Sequence, residues 1–353
     1  MYLLVGGYDV RKYESIFLAI LLATLAYSKP VLAATNSLHL VTSPLPIELR
    51  AEPGKSVQAE LRVQNAGAET EHIKVGTLKF RAYKDTGQPE LLDPSKNDDS
   101  VNWVHFSEPQ FALQSNEWKV ITATIDVPAY AAFGYYFAFT FSRDGAASPA
   151  ADGTTQLSGS TAILVLLDVL VPGAKRTAEI ASFTTDRSFY EYLPASLKVT
   201  IHNTGNVHIA PRGNIFIDRG SQDQVGLLEV NPDQGNILPD SNRTFEIPWN
   251  DGFPHYEDVI QSGKVQHDKD GGILTHLLWK LSDITKLRVG RYTASLVMTY
   301  DDGTRDVPLE AKVSFWVIPW RLLIATLLLG VLVFIGLWSS IQKIRNSLRK
   351  NRV

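Results

Sequence analysis

The sequence predicts an all-β fold of two tandem β-sandwiches, followed by one apolar helix long enough to span a membrane. Three observations carry this expectation. Most of residues 38–316 reads as short runs of alternating apolar and polar residues, punctuated by Gly, Pro, Asn and Asp, which is the pattern of half-buried strands. Elements of that pattern recur in the same order in both halves. Finally, Leu322 to Trp338 is apolar and carries no charge.

At the N-terminus, Arg11 and Lys12 precede an apolar stretch from Ile16 to Tyr27, and Val31-Leu32-Ala33 follows. A basic start, a short apolar run and an exit with small residues describe a secretory signal over residues 1–33. The apolar run is shorter than the roughly 20 residues a spanning helix needs.

The first sandwich is expected over residues 34–171. Leu61 and Val63 alternate with Glu60, Arg62 and Gln64, and the run ends in Asn65-Ala66-Gly67. The stretch from Ala162 to Val171 is nearly continuous apolar and reads as the last core strand. Val171-Pro172-Gly173-Ala174-Lys175 is the expected linker, centred on residues 172–175.

The second sandwich is expected over residues 176–316. Leu197, Val199 and Ile201 alternate with Lys198, Thr200 and His202, ending in Asn203-Thr204-Gly205, an offset of 138 from the first copy. Gly134-Tyr135-Tyr136 matches Gly290-Arg291-Tyr292 at an offset of 156. In immunoglobulin-like sandwiches a Tyr near the start of one strand hydrogen-bonds back to the backbone, two residues before an inter-sheet Cys. Tyr136 and Tyr292 are the expected corner tyrosines, with Ala138 and Ala294 in place of Cys. Ser115-Asn116 is matched to Ser241-Asn242 at 126, which places long loops at Tyr83 to Asn102 and Asp251 to Leu281.

The spanning helix is expected over residues 317–339. Trp316, Trp320 and Trp338 flank it, where indole rings favour the interface. Residues 340–353 carry Lys343, Arg345, Arg349, Lys350 and Arg352 and no acid, which puts the C-terminus on the cytoplasmic side and the sandwiches outside.

Charge and composition limit the function. The chain carries −3 overall. With +1 on residues 1–33 and +6 from Arg321 onward, the sandwich region carries −10. This argues against nucleic acid as a partner. Cysteine is absent, which excludes thiolate chemistry and points to a bacterial exported chain. No nucleophile elbow, zinc-protease helix, phosphate loop or dinucleotide fingerprint is present. The expectation is a non-enzyme with no cofactor and no catalytic residues.

Metal-ligand candidates lie in the second long loop: His255, His267, Asp268, Asp270 and His276. Candidate binding-loop residues are Asp93, Asp98, Asp99 and Trp103 in the first loop and Tyr256 in the second. His202 and His208 read as exposed strand residues, and Trp103 and Trp118 more readily as packing than as sugar platforms.

The order of Pro53-Gly54, Asn65-Ala66-Gly67, Gly134 to Tyr136, the apolar strand Ala162 to Val171, Asn203 to His208 and the terminal helix resembles the WxL-interacting surface proteins of Gram-positive bacteria. The resemblance implies peptidoglycan binding by the first domain and host-protein binding by the second. The expectation is thus a membrane-anchored surface protein binding a cell-wall polymer or another surface protein. The alternatives are a membrane-tethered assembly factor or chaperone and, third, a metal-dependent hydrolase.

Overall fold

The computed structural model describes residues 38–92, 99–144, 161–220, 222–261, 264–267 and 273–350. The expected signal segment and four candidate residues, Asp93, Asp98, Asp268 and Asp270, lie outside them.

The first sandwich begins with β1 (Leu40–Ser43), β2 (Ile47–Ala51), β3 (Ser56–Asn65), β4 (Glu71–Tyr83) and β5 (Gln88–Leu92). It continues with β6 (Val104–Phe106), β7 (Gln110–Leu113), β8 (Trp118–Asp126), β9 (Phe133–Arg143) and β10 (Thr161–Val169). One sheet has the order β1-β3-β8-β6, and the other runs β2-β10-β9-β4-β5, with β7 also on β4. On β3 the alternation is literal: Leu61 and Val63 are buried while Glu60 and Arg62 face solvent. The chain changes sheets at Pro44-Leu45-Pro46. Before it β1 pairs antiparallel with β3, and after it β2 runs parallel to β10. Proline has no N–H for a ladder, so such a segment ends one pairing before the next begins.

The second sandwich contains β11 (Ala178–Thr185), β12 (Phe189–Tyr190), β13 (Ala195–Asn203), β14 (Arg212–Arg219), β15 (Gln222–Val230) and β16 (Asn242–Trp249). After an insertion with β17 (His255–Asp258), β18 (Ile260–Gln261), β19 (Lys264–Val265) and β20 (Thr275–Leu278), it closes with β21 (Gly290–Asp301) and β22 (Asp306–Val317). Its sheets have the orders β11-β13-β16 and β12-β22-β21-β14-β15. The strand switch recurs, since β11 pairs with β13 and β12 runs parallel to β22. The core packs Trp249 against Tyr292 and Phe315, with ring centroids 5.0 and 5.9 Å away.

The two Asn-x-Gly turns are built alike. Asn65 is buried, its Nδ2 donates to the carbonyls of Glu69 and Leu113, and its Oδ1 accepts from Gly67 N–H. Asn203 is equally buried and makes the same set with Val207, Ile237 and Gly205. Each amide therefore satisfies three backbone groups that would otherwise be left unpaired beneath the turn.

Two expected alignments need correction. Asn116 N–H donates to Asn65 O at 2.7 Å, and Asp240 N–H donates to Asn203 O at 2.9 Å. Asn116 thus corresponds to Asp240, at 124 rather than 126. The Gly-x-Tyr match is displaced by one residue. Phe133 pairs with Val169 and Gly290 with Val317 at equivalent sheet positions, and both have positive φ. That register aligns Tyr135, not Tyr136, with Tyr292. Phe137, Phe139 and Phe141 fill the first core as Ala294, Leu296 and Met298 fill the second. A shift of one residue reverses the face, so Tyr136 points away from the core. The corner bond falls to Tyr135, whose hydroxyl accepts from Ala132 N–H at 3.3 Å. The Tyr292 hydroxyl is buried and approaches the Val289 backbone, without the geometry of a full hydrogen bond.

Neither long insertion is structureless. In the first, β5 pairs with β4 and the turn at Lys84 to Gly87 reaches the second sandwich, where Thr244 N–H donates to Asp85 O at 2.7 Å. In the second, β17 pairs with β20 and β18 with β19. A long connection inside a packed unit gains by satisfying its own backbone.

The expected linker is bonded on both sides. Lys175 N–H donates to Asn206 Oδ1 at 2.7 Å, and Asn206 Nδ2 donates to Gly173 O at 3.1 Å. The sandwiches belong to one contact unit that starts at Leu40. The chain closes with α1 (Trp320–Lys350), of which Trp320–Lys343 is long and apolar enough to cross a membrane, with none of its most apolar window buried.

Candidate functional site

The outer face of the β2-β10-β9-β4-β5 sheet is the centre of interest. Leu166 and Asp168 on β10 pair with Tyr136 and Gly134 on β9, all on the side away from the core. This explains the nearly continuous apolar strand. Ile163, Val165, Leu167 and Val169 enter the first core, while Leu164, Leu166 and Asp168 face the second sandwich.

At one end of this face the sandwiches are joined by a buried polar cluster. Arg176 Nη2 donates to Asp168 Oδ2 at 2.6 Å. His208 Nδ1 lies 3.2 Å from Asp168 Oδ1, off the line of a well-formed hydrogen bond. The Tyr136 hydroxyl accepts from His208 N–H at 2.8 Å, and the two rings meet edge to face at 5.8 Å. Burial is the largest influence on Asp168 and acts to raise its pKa. His208 and Arg176 together outweigh it, so the carboxyl is held below its ordinary range. Burial, and then the Asp168 charge, push the Tyr136 phenol well above its ordinary value, so it stays protonated. His208 is buried, contrary to the expected exposed strand histidine. His202 is half-buried and faces Asn242 Oδ1 at 2.9 Å. With His208 and Asp168 enclosed and Asp168 neutralised by Arg176, the cluster is suited to fastening two bodies together.

Gly134 makes this possible. A Cβ there would lie 2.1 Å from the Tyr136 hydroxyl, so the phenol folds back over a bare backbone.

Beyond the cluster the sandwiches part around a cavity of about 490 Å³. Leu164, Leu166, Phe80, Ala82 and Pro89 line the first-sandwich side, Ile237, Leu238 and Arg243 the second, and Leu45 and Pro46 the mouth. A second, shallower crevice shares Phe80 to Ala82, Leu238 and Ser241 with it and runs past Gly134 and Tyr136. Arg243 is half-buried, and burial lowers its pKa against the weaker pull of Asp233. It donates to Asn236 O at 3.1 Å and lies over the Phe245 ring at 5.1 Å. No ion pair joins it to a carboxylate among the described residues. Gly87 and Gly235 leave room for it, since a Cβ on either would fall within 2.4 Å of its guanidinium. Beside the mouth, β2 ends its sheet, and its outer edge has no strand partner among the described residues.

The residues nominated from sequence lie elsewhere. Trp103 is not a loop platform: it is buried at the end of a 3-10 turn, Asp99–Trp103, with its ring 4.7 Å from that of Tyr135. Trp118 is half exposed. His255 is held by its own neighbours, with Nδ1 3.1 Å from Gly252 O and Nε2 3.1 Å from Glu257 Oε1. His276 sits opposite Glu257 in the β17–β20 ladder, and His267 bridges Ile273. Among the described residues no three His, Asp or Glu side chains are grouped to hold a metal ion. Tyr256 belongs to an aromatic group with Tyr192 and Trp279.

Sequence reasoning missed Asp168, Arg176, Tyr136 and His208 as a set, and it missed Arg243. One signal was available. Asp168 interrupts an apolar run, and a carboxylate in a buried strand requires a partner.

No protein-family model matches the chain, and no curated protein matches it. Solved structures similar to it include the YadV chaperone, at 12% identity and a TM-score of 0.34 over 78% of this chain and 99% of that one. Another is the CsuC–CsuE chaperone–tip adhesion subunit complex of Acinetobacter baumannii, at 9% identity and 0.34, covering 77% and 97%. The class 5 fimbriae chaperone CfaA matches at 18% and 0.31, covering 68% and 98%. At these identities and scores the likeness carries no functional inference. The structure itself is that of a predominantly β protein of sandwich architecture with one C-terminal apolar helix.

Proposed function

We propose that the chain is a non-catalytic, membrane-tethered binding protein outside the cytoplasm, whose partner is another polypeptide held in extended form. In this reading α1 is the anchor, the basic tail lies inside, and two sandwich domains face outward. One observation carries the choice of partner: an apolar cleft of about 490 Å³ opens beside a strand edge that has no partner among the described residues, and it holds one half-buried guanidinium. Apolar walls suit alternate side chains of an extended segment, a strand edge supplies backbone hydrogen bonds, and a cation meets a carbonyl or carboxylate. This is the assembly-factor alternative of the sequence reading. Nothing in the cleft favours an insoluble glycan, and the resemblance to wall-binding proteins rests on short sequence motifs alone.

The test uses the full chain in nanodiscs, a panel of fluorescent extended peptides with alternating apolar residues, and isolated cell walls. Peptide binding measured by anisotropy, and abolished by Ala82→Trp, which fills the cleft, is the expected result. Absence of peptide binding together with wall sedimentation that ignores Ala82→Trp overturns the reading and restores the wall-binding one.

A further inference from the structure

The insertion in the second sandwich carries apolar side chains that the polypeptide cleft does not use. Trp279 is 50% exposed, Leu281 73% and Ile284 56%, and the 3-10 turn Leu281–Lys286 buries none of its residues. These side chains are held in place. Trp279 packs edge-on against Phe253 and Tyr192, with centroids 5.8 and 6.3 Å away, and Phe253 N–H donates to Lys286 O.

Their position in the fold gives the reason. Tyr192 is two residues from Tyr190, whose carbonyl accepts from Ile318 N–H at 2.8 Å, directly before α1. Between them, Glu191 pairs with Arg321 of the first helical turn at 3.5 Å. Phe189 pairs with Trp316 in the β12–β22 ladder, and Phe189, Trp316 and Trp320 are each nearly half exposed. Trp279 therefore stands at the end of the sandwich from which the helix leaves, alongside other exposed aromatic rings. Around the 3-10 turn, Asp251 pairs with Lys286 and Arg288 at 2.8 and 2.7 Å and Asp283 lies 3.9 Å from Lys280, while the exposed acids of the insertion, Glu257 and Asp258, sit on β17.

We propose that this end of the second sandwich is a lipid-docking face, with Trp279, Leu281 and Ile284 lying in the headgroup layer of the bilayer that α1 crosses. The inference rests on reading α1 as a membrane span. Indole and aliphatic groups backed by lysine favour that layer, and a protein already tethered there meets it at high effective concentration. Docking would fix the height and tilt of the sandwiches above the membrane, and so the direction in which the cleft opens.

The absence of cysteine makes the test direct. Single variants Leu281→Cys, Ile284→Cys, Leu329→Cys in the helix and Tyr130→Cys on the first sandwich are labelled with an environment-sensitive fluorophore. Each full chain is placed as one copy per nanodisc, with and without lipid carrying doxyl groups at both a shallow and a deep acyl position, the deep one reaching Leu329 near the middle of the span. Blue-shifted emission and doxyl quenching at 281, 284 and 329, but not at 130, is the expected result. Quenching at 329 without quenching at 281 and 284 overturns the docking face and leaves the span intact. A blue shift at 281 without quenching means that protein covers the face, which also overturns it. Absence of quenching at 329 removes the span and the docking face together.

Discussion

Replacing Asp168 by Asn tests whether the buried cluster fastens the two sandwiches. The substitution keeps the size of the side chain and removes its charge. Arg176 then loses a carboxylate 2.6 Å away while only 18% of its side chain is exposed, and the negative charge 3.2 Å from His208 Nδ1 is removed. Breaking one partner out of a buried ion pair costs about 3–5 kcal/mol, mostly because the remaining charge stays desolvated. Arg176 keeps some access to water, so we expect the lower end, about 3 kcal/mol, or on the order of 5–10 °C in Tm for a unit of this size. The pH dependence supplies a second reading. The folded pKa of Asp168 lies below its unfolded value, so its stabilisation is complete above about pH 4 and is lost as pH falls through the folded value. Thermal unfolding of the full chain in detergent between pH 7 and pH 2.5 should show the difference between Asp168→Asn and the parent largest at neutral pH and narrowing as the pH falls below about 4. A change in Tm below about 2 °C at pH 7, or a constant difference across the pH range, would refute the argument.

Further substitutions probe the rest of the structure. Asn203→Ala strips three buried backbone groups of their partners and should cost about 3 kcal/mol in denaturant unfolding, at roughly 1 kcal/mol for each bond, with Asn65→Ala similar in the first copy. Gly134→Ala should destabilise by about 1–3 kcal/mol through its clash with Tyr136, and combining it with Tyr136→Ala should cost less than the sum of the two, as a thermal double-mutant cycle would show. Gly213→Ala places a Cβ 2.2 Å from Val297 O and 2.5 Å from Met298 Cα on the adjacent strand, so the backbone must move. Gly220, with positive φ and open space around it, should tolerate Ala at a cost of about 1–2 kcal/mol, which comparative Tm measurements can distinguish.

The sequence by itself determined what depends on near neighbours. Alternation on β3 and β13 reports burial because side chains two residues apart share a face. The Asn-x-Gly turns were legible as a repeat because Asn closes the turn on residues close by, Glu69 in one copy and Val207 in the other. The apolar run of α1 is long enough to be recognised without any partner. Tertiary structure decided the rest. The alignment of Tyr135 with Tyr292 depends on where β9 meets β10 and where β21 meets β22, and the nearby Gly-x-Tyr match suggested a register one residue away. The second insertion folds as paired strands because its backbone must be satisfied, although its sequence lacks regular alternation. The cleft and the Asp168 cluster join side chains distant in the chain, Phe80 with Leu166 and Ile237, and Tyr136 with His208. Apart from Asp168, whose carboxylate interrupts an apolar run, none of these residues announces its partner locally. Their roles arise only when the outer face of one sheet is covered by the second sandwich, which makes a charge in an apolar strand tolerable and leaves the rest of that face lining an open cleft.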